Sequence, residues 1–227
     1  MKNPQQLDMK PEQSLSQKVI KGSFWIFALR ISRRALDFVR TVILARLLAP
    51  HDFGLMGIAL LTLQTLEAFS QTGFQSALVQ RKGDISKYLN VAWTILVLRG
   101  IVLSTVIFFS APFIAKFFST SESKSLIRVV GLSFLIQGFT NIAVVLFQKE
   151  LNFKKQYLFE VSGFAFDFLV SIFLVFILKN VWALVIGKIT GETTRLIASY
   201  ILDRHRPCLT FHFKHAKELH EFGRWIS

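Results

Sequence analysis

The sequence predicts an all-α fold, a polytopic membrane helical bundle of six transmembrane helices. Three observations predict it. The 227 residues are 52% hydrophobic and include 24 phenylalanines, with a mean hydropathy of +0.46, too apolar for a soluble domain of this length. Six apolar stretches are each long enough to cross about 30 Å of hydrocarbon, which needs roughly 20 residues. The basic residues gather mainly in the short connections between those stretches, the positive-inside pattern.

The net charge of +13 and the pI of 10.2 do not indicate a nucleic-acid partner, because that would require the cations on one soluble face. The single Cys208 excludes an internal disulfide framework and sits beside Arg204, Arg206 and Pro207; no role is assigned to it. Residues 1–21 are predicted to be a cytoplasmic segment, polar through Gln17 and without the apolar core of a signal peptide.

The expected spans are Gly22–Ala45, Phe53–Val79, Leu89–Phe109, Leu126–Phe147, Tyr157–Leu178 and Val181–Leu202. Together they make a transmembrane unit over 22–202. The connections carry loop chemistry, for example Ala49-Pro50-His51-Asp52 and Arg81-Lys82-Gly83-Asp84. A cytoplasmic linker is expected over 203–221, where Pro207 breaks the helix before a polar run. Within it His212 and His215 lack further ligands at metal-binding spacing, so a solvated or interfacial helix is the expectation. Residues 222–227, Phe-Gly-Arg-Trp-Ile-Ser, read as the start of a seventh transmembrane helix at which the chain is truncated.

Orientation follows from parity. With all six segments spanning, one side collects 15 Lys and Arg and the other five, so the amino terminus is placed in the cytoplasm. The first segment is the most contestable, because Arg30, Arg33, Arg34, Asp37 and Arg40 interrupt it and an interfacial helix is the competing reading. If it merely lay on the surface, the count would become 13 against 11 and the bias would vanish.

Those five charges fall within about 120° of arc on one helix face. Facing lipid, they would cost on the order of 12–17 kcal/mol, whereas the apolar residues of the segment return about 3–7 kcal/mol. The face is therefore expected to look into a bundle or a wet cavity. Asp37 can pair with Arg33, Arg34 or Arg40, but one carboxylate cannot neutralise four guanidinia. The excess positive charge calls for an anion, and guanidinium forks match phosphate oxygens.

Other spans add Arg99 in the third, Asp167 in the fifth, and a Lys188, Glu192, Arg195 stripe in the sixth. The second carries Gln64, Glu67 and Gln71 on one stripe, and the fourth Gln137 and Asn141. For Lys188, Glu192 and Arg195 the alternative is ordinary ion pairing between helices. No Walker A loop, G-x-S-x-G or H-E-x-x-H arrangement is present, and the expectation is a non-enzyme without cofactor or metal.

The stretch Leu44-Ala45-Arg46-Leu47-Leu48-Ala49-Pro50-His51-Asp52-Phe53-Gly54-Leu55 resembles the LAR-L-P-x-x-F/Y-G signature of Wzx-type polysaccharide and oligosaccharide flippases of the MOP exporter superfamily. Ala77-Leu78-Val79-Gln80-Arg81-Lys82, the run from Leu146 to Lys155, and Trp182-Ala183-Leu184-Val185 are similar to further segments of that family. The resemblance implies one six-helix lobe of a two-lobe transporter with alternating access. It implies flipping of an undecaprenyl-pyrophosphate-linked oligosaccharide across the bacterial inner membrane, for lipopolysaccharide, capsule or exopolysaccharide biosynthesis. Membrane lipids and glycan polymerase or export machinery are the expected partners. The candidate pyrophosphate and cavity residues are Arg30, Arg33, Arg34, Arg40, Arg99, Lys188 and Arg195; the candidate ion-coupling carboxylates are Asp37, Glu67, Asp167 and Glu192. The rival readings are a membrane enzyme of glycan assembly, a polymerase or ligase, and a multidrug exporter of the same superfamily.

Overall fold

A computed structural model describes residues 15–70 and 86–210, with side chains from 23 to 70 and from 88 onward. The described elements are helices: α1 Leu15–Leu47, α2 Pro50–Ser70, α3 Ser86–Phe117, α4 Ser123–Gly138, α5 Val144–Lys149, α6 Phe153–Leu178 and α7 Trp182–Leu202. Three of them, α2, the Tyr88–Phe117 part of α3, and α6, are long and apolar enough by themselves to cross a membrane. Charges keep α1 and α7 below that standard. The family segment 77–82, the tip of the expected second span, and His212, His215 and the expected seventh helix lie outside the described residues.

The expected fourth span is not one helix. α4 stops at Gly138, residues 139–143 are non-helical, and α5 is a separate short helix. The cause is Asn141, fully buried, whose groups are all used across the break. Its backbone N–H donates to Ser199 Oγ at 3.0 Å, its Nδ2 to the His205 carbonyl at 2.8 Å, and its Oδ1 accepts from Ala143 N at 3.0 Å. A side chain that satisfies the backbone this well competes with the helical ladder. Hydropathy, which sees only an apolar run, misses it.

α3 is longer than expected and carries Pro112 inside it. Proline has no N–H for the carbonyl four residues earlier, here that of Phe108. Arg128 of α4 donates its Nε to that Phe108 oxygen at 3.2 Å and lays its guanidinium over the Phe108 ring at 4.4 Å. Arg128→Ala is expected to orphan this carbonyl and cost about 1–3 kcal/mol, read as a lower midpoint of thermal unfolding of the purified protein.

Helices α6 and α7 form one tight hairpin and α3 and α4 another, with α1 laid on α6, and α4 touching both α2 and α7. One apolar core joins Leu44, Leu48, Leu55, Met56, Ala59, Ile107, Ile127, Val175, Leu184 and Val185. A second, at the other end, joins Leu89, Ala92, Trp93 and Val97 of α3 to Ile142 and Val145. The turns after α1, α3 and α6 share one end: Asp52 Oδ1 accepts from Val181 N at 3.2 Å, and His51 lies 4.0 Å from Glu122.

The outer surface suits lipid. Phe69 is 87% exposed, Phe117 82% and Ile201 76%, a distribution that water would not tolerate on a monomer.

Candidate functional site: the α1–α6–α7 charged seam

α1 and α6 run parallel, and their contacts form successive layers. Trp25 meets Tyr157 with ring centroids 5.1 Å apart, and Ser32 Oγ lies 3.2 Å from the Tyr157 hydroxyl. Two turns further along α6, Arg33 and Arg195 both lie over the ring of Phe164, at 4.6 Å and 4.3 Å from its centroid. Next, Arg40 Nη1 donates to Asp167 Oδ2 at 2.8 Å and its Nη2 to Ser171 Oγ at 3.0 Å. Beyond that layer the seam becomes apolar, with Leu44 and Val175 in the core.

Sequence decides why α7 can come so close. Gly187 and Gly191 have the small-xxx-small spacing that lets membrane helices approach. A Cβ on Gly187 would meet Ser171 Oγ and, at 2.9 Å, Asp167; one on Gly191 would sit 2.8 Å from both Asp167 Cβ and the Gly163 carbonyl. On the other side, Gly163 gives way to the Arg195 side chain passing over it.

The sequence-predicted residues separate into three groups. Arg40 and Asp167, expected as a cation for substrate and a carboxylate for ion coupling, are partners of one another. Lys188, Glu192 and Arg195 form a chain of ion pairs: Lys188 Nζ is 2.8 Å from Glu192 Oε1 and Arg195 Nη1 is 3.6 Å from Glu192 Oε2. Glu160 closes the chain at 3.6 Å from Arg195 Nη2. With two cations and two carboxylates, this network is neutral. The third group is the exposed α1 face. Arg33 and Asp37 sit 3.9 Å apart, the i, i+4 option among the pairings open to Asp37, while Arg30 and Arg34 have no partner among the described residues.

Arg99 and Glu67 belong elsewhere. Arg99 Nη2 donates to Ser70 Oγ at 2.8 Å, and Ser70 in turn donates to the Glu67 carbonyl at 3.1 Å. No described contact joins them to the α1–α6–α7 seam. Sequence reasoning missed Glu160, Phe164 and Ser171. The signal was present: positions 160, 164, 167 and 171 repeat at i, i+4, i+7 and i+11, so they share the face that carries Asp167. Among the described residues no group of three or more His, Cys, Asp or Glu is placed to hold a metal ion.

The described segments that resemble the flippase signatures supply packing and helix-end contacts. Leu44, Leu48 and Leu55 fill the core, Pro50 opens α2, and Asp52 accepts from the Val181 N–H just before α7, whose first residue Trp182 donates its N–H to Asn180 Oδ1 at 3.1 Å. Asn152 caps α6 by accepting from Lys155 N at 3.3 Å. Asp52→Ala is expected to cost about 1 kcal/mol through the lost hydrogen bond from the Val181 N–H, measured as reduced thermal stability that Asp52→Asn largely restores.

A family model described as polysaccharide biosynthesis protein matches residues 43–227. The chain belongs to this family, that of the Wzx-type polysaccharide flippases of the MOP superfamily. It is 24% identical over 216 residues to the lipopolysaccharide biosynthesis protein WzxC of Escherichia coli (strain K12), covering 94% of this chain and 44% of that protein. The succinoglycan biosynthesis transport protein ExoT of Rhizobium meliloti (strain 1021) is 24% identical over 209 residues, 92% of this chain and 42% of its own length. The teichuronic acid biosynthesis protein TuaB of Bacillus subtilis (strain 168) is 22% identical over 212 residues, 92% and 44% respectively. The chain thus spans less than half the length of these relatives. No solved structure matches it. Membership of this family and the three described helices of membrane-crossing length and apolarity support a membrane location for the chain.

Proposed function

We propose that residues 22–202 form one six-span lobe of a two-lobe transporter that carries an undecaprenyl-pyrophosphate-linked oligosaccharide across the bacterial inner membrane. Surface polysaccharide assembly is the process served, with residues 1–21 and 203–221 on the cytoplasmic side. The observation that carries this reading is the unbalanced α1 face: Arg30 and Arg34 bear charge without a carboxylate beside them, in a helix of transmembrane length within a family of polysaccharide transporters. Guanidinia at membrane depth need an anion or water, and a diphosphate offers several oxygens to a set of forks.

In this scheme Arg30, Arg33 and Arg34 receive the diphosphate from the cytoplasmic side. Lys188, Glu192, Arg195 and Glu160, neutral as a set, hold α6 and α7 together and line the glycan's path with hydrogen-bonding groups. Asp37 limits the charge at Arg33. Arg99 ties α3 to the end of α2 through Ser70.

The test is depletion of the full-length protein in its native host, followed by labelling with a membrane-impermeant glycan reagent. Accumulation of lipid-linked oligosaccharide on the cytoplasmic leaflet is expected. Unchanged sidedness with altered glycan length would instead make the protein a polymerase or ligase, and a change only in drug susceptibility would make it a drug exporter.

A further inference from the structure

On the transport reading above, the Arg40–Asp167 pair has a more specific meaning than a helix-to-helix tie. The guanidinia on the charged face of α1 climb the helix at 30, 33, 34 and 40, and ten residues at 1.5 Å each place the last of that face about 15 Å above the first, roughly half of the 30 Å hydrocarbon thickness. The lower three are exposed. Arg40 alone is satisfied by an acidic partner on another helix, and it lies at the level where the polar seam gives way to the Leu44 and Val175 core.

The coordination of Arg40 resembles what a phosphate would supply. One guanidinium nitrogen meets a carboxylate oxygen at 2.8 Å and the other a hydroxyl oxygen at 3.0 Å, and that hydroxyl donates on to the second carboxylate oxygen at 3.1 Å. The niche is built for the carboxylate: Gly187 and Gly191 are the only residue type that leaves room for Asp167 and Ser171 against α7. The charged groups nearby are already engaged, Lys188 by Glu192 at 2.8 Å, and Arg33 by Asp37 at 3.9 Å.

We infer that Asp167 is an internal substitute for the substrate's phosphate at Arg40, so that an anion advancing along α1 must displace the Asp167 carboxylate to reach that guanidinium. The pair closes the charged seam while it is empty and opens it only for a ligand that replaces both of its hydrogen bonds. A neutral or cationic solute cannot make that exchange, so the pair also selects for an anion.

The test uses the purified full-length protein in detergent, with inorganic pyrophosphate as the probe and titration calorimetry as the readout. Asp167→Asn is expected to raise pyrophosphate affinity about tenfold, because Arg40 loses a charge-assisted partner. The gain must depend on Arg40: in an Arg40→Gln background, Asp167→Asn is expected to change affinity less than about twofold, the signature of direct coupling in a double-mutant cycle. Ser171→Ala, a milder change that leaves both charges in place, is expected to raise affinity about two- to threefold by loosening the pair, and it serves where Asp167→Asn does not fold. An equal gain in both backgrounds would reduce the effect to general field, and an unchanged affinity with lower thermal stability would make the pair purely structural. Either result overturns the inference and leaves the transport reading intact. Absence of pyrophosphate binding by wild type and all variants overturns the inference together with the anion assignment of the α1 arginines, while the sidedness experiment still decides transport.

Discussion

The double substitution Arg30→Ala with Arg34→Ala is expected to abolish glycan export while leaving the protein inserted and folded. Neither side chain has a partner among the described residues, and both are exposed, so their removal breaks no interaction that holds α1 on α6. The helix should even insert more readily, since each central Arg costs about 2.5–3.5 kcal/mol on the insertion scale. What is lost is two charge-assisted contacts to an anion, each worth about 1.5–3 kcal/mol, which translates to two orders of magnitude or more in affinity. The measurement is surface polysaccharide by impermeant labelling, normalised to membrane-extracted protein. Wild-type export from the double variant would eliminate the α1 face as the phosphate site. The choice of Arg30 and Arg34 matters, because Arg33 is held by Asp37 and Phe164 and Arg40 by Asp167, so that loss of either would confuse binding with packing.

Gly100→Leu should have the opposite character, a protein that fails to fold. α3 and α4 cross backbone to backbone at Gly100 and Gly138. A Cβ on Gly100 would sit 2.5 Å from the Phe134 carbonyl and 3.2 Å from Gly138 Cα, and a Cβ on Gly138 would sit 2.9 Å from the Leu96 carbonyl. These neighbours are backbone, which cannot swing away, so the helices must part. Separating them strips contacts from the Trp93, Val97 and Ile142 core and from the Ile107–Ile127 contacts further along the same pair. Overpacking of a core costs typically 1–3 kcal/mol and more where nothing can yield; against a total of about 5–15 kcal/mol, a loss at the upper end is enough to remove most folded protein. Gly57→Leu is the control, since a Cβ there meets nothing within 4 Å. Extraction yield and size-exclusion profile of the two variants should diverge sharply; similar, monodisperse profiles would show that the α3–α4 crossing tolerates separation.

Much of the molecule was legible in the chain. Helical class, the ends of α6 and α7 to within a few residues, and the sharing of one face by the α1 charges follow from apolar length and the 100° helical step, both of which are local properties. So does the need of the charged α1 face for a counter-charge, because Asp37 is the single carboxylate within reach of four guanidinia on the same helix.

Pairing between helices was not legible. Arg40 with Asp167 joins residues 127 positions apart, and no periodicity within α1 reveals that Arg40 is the one its partner helix satisfies. The same holds for Arg195, whose i, i+3 pairing with Glu192 was legible on its own helix but whose second partner, Glu160, lies on α6, and for Arg128, whose partner is a carbonyl released by Pro112. The break at Asn141 belongs here too, since its cause lies on α7 and in the segment after it. The sequence alone therefore determined which segments are helical and which face of α1 carries charge, because hydropathy and helical spacing act along one chain segment. Only the tertiary structure decided which charges remain free, because neutralisation depends on distances between segments far apart in sequence, and in a membrane that free remainder is what an anionic substrate meets.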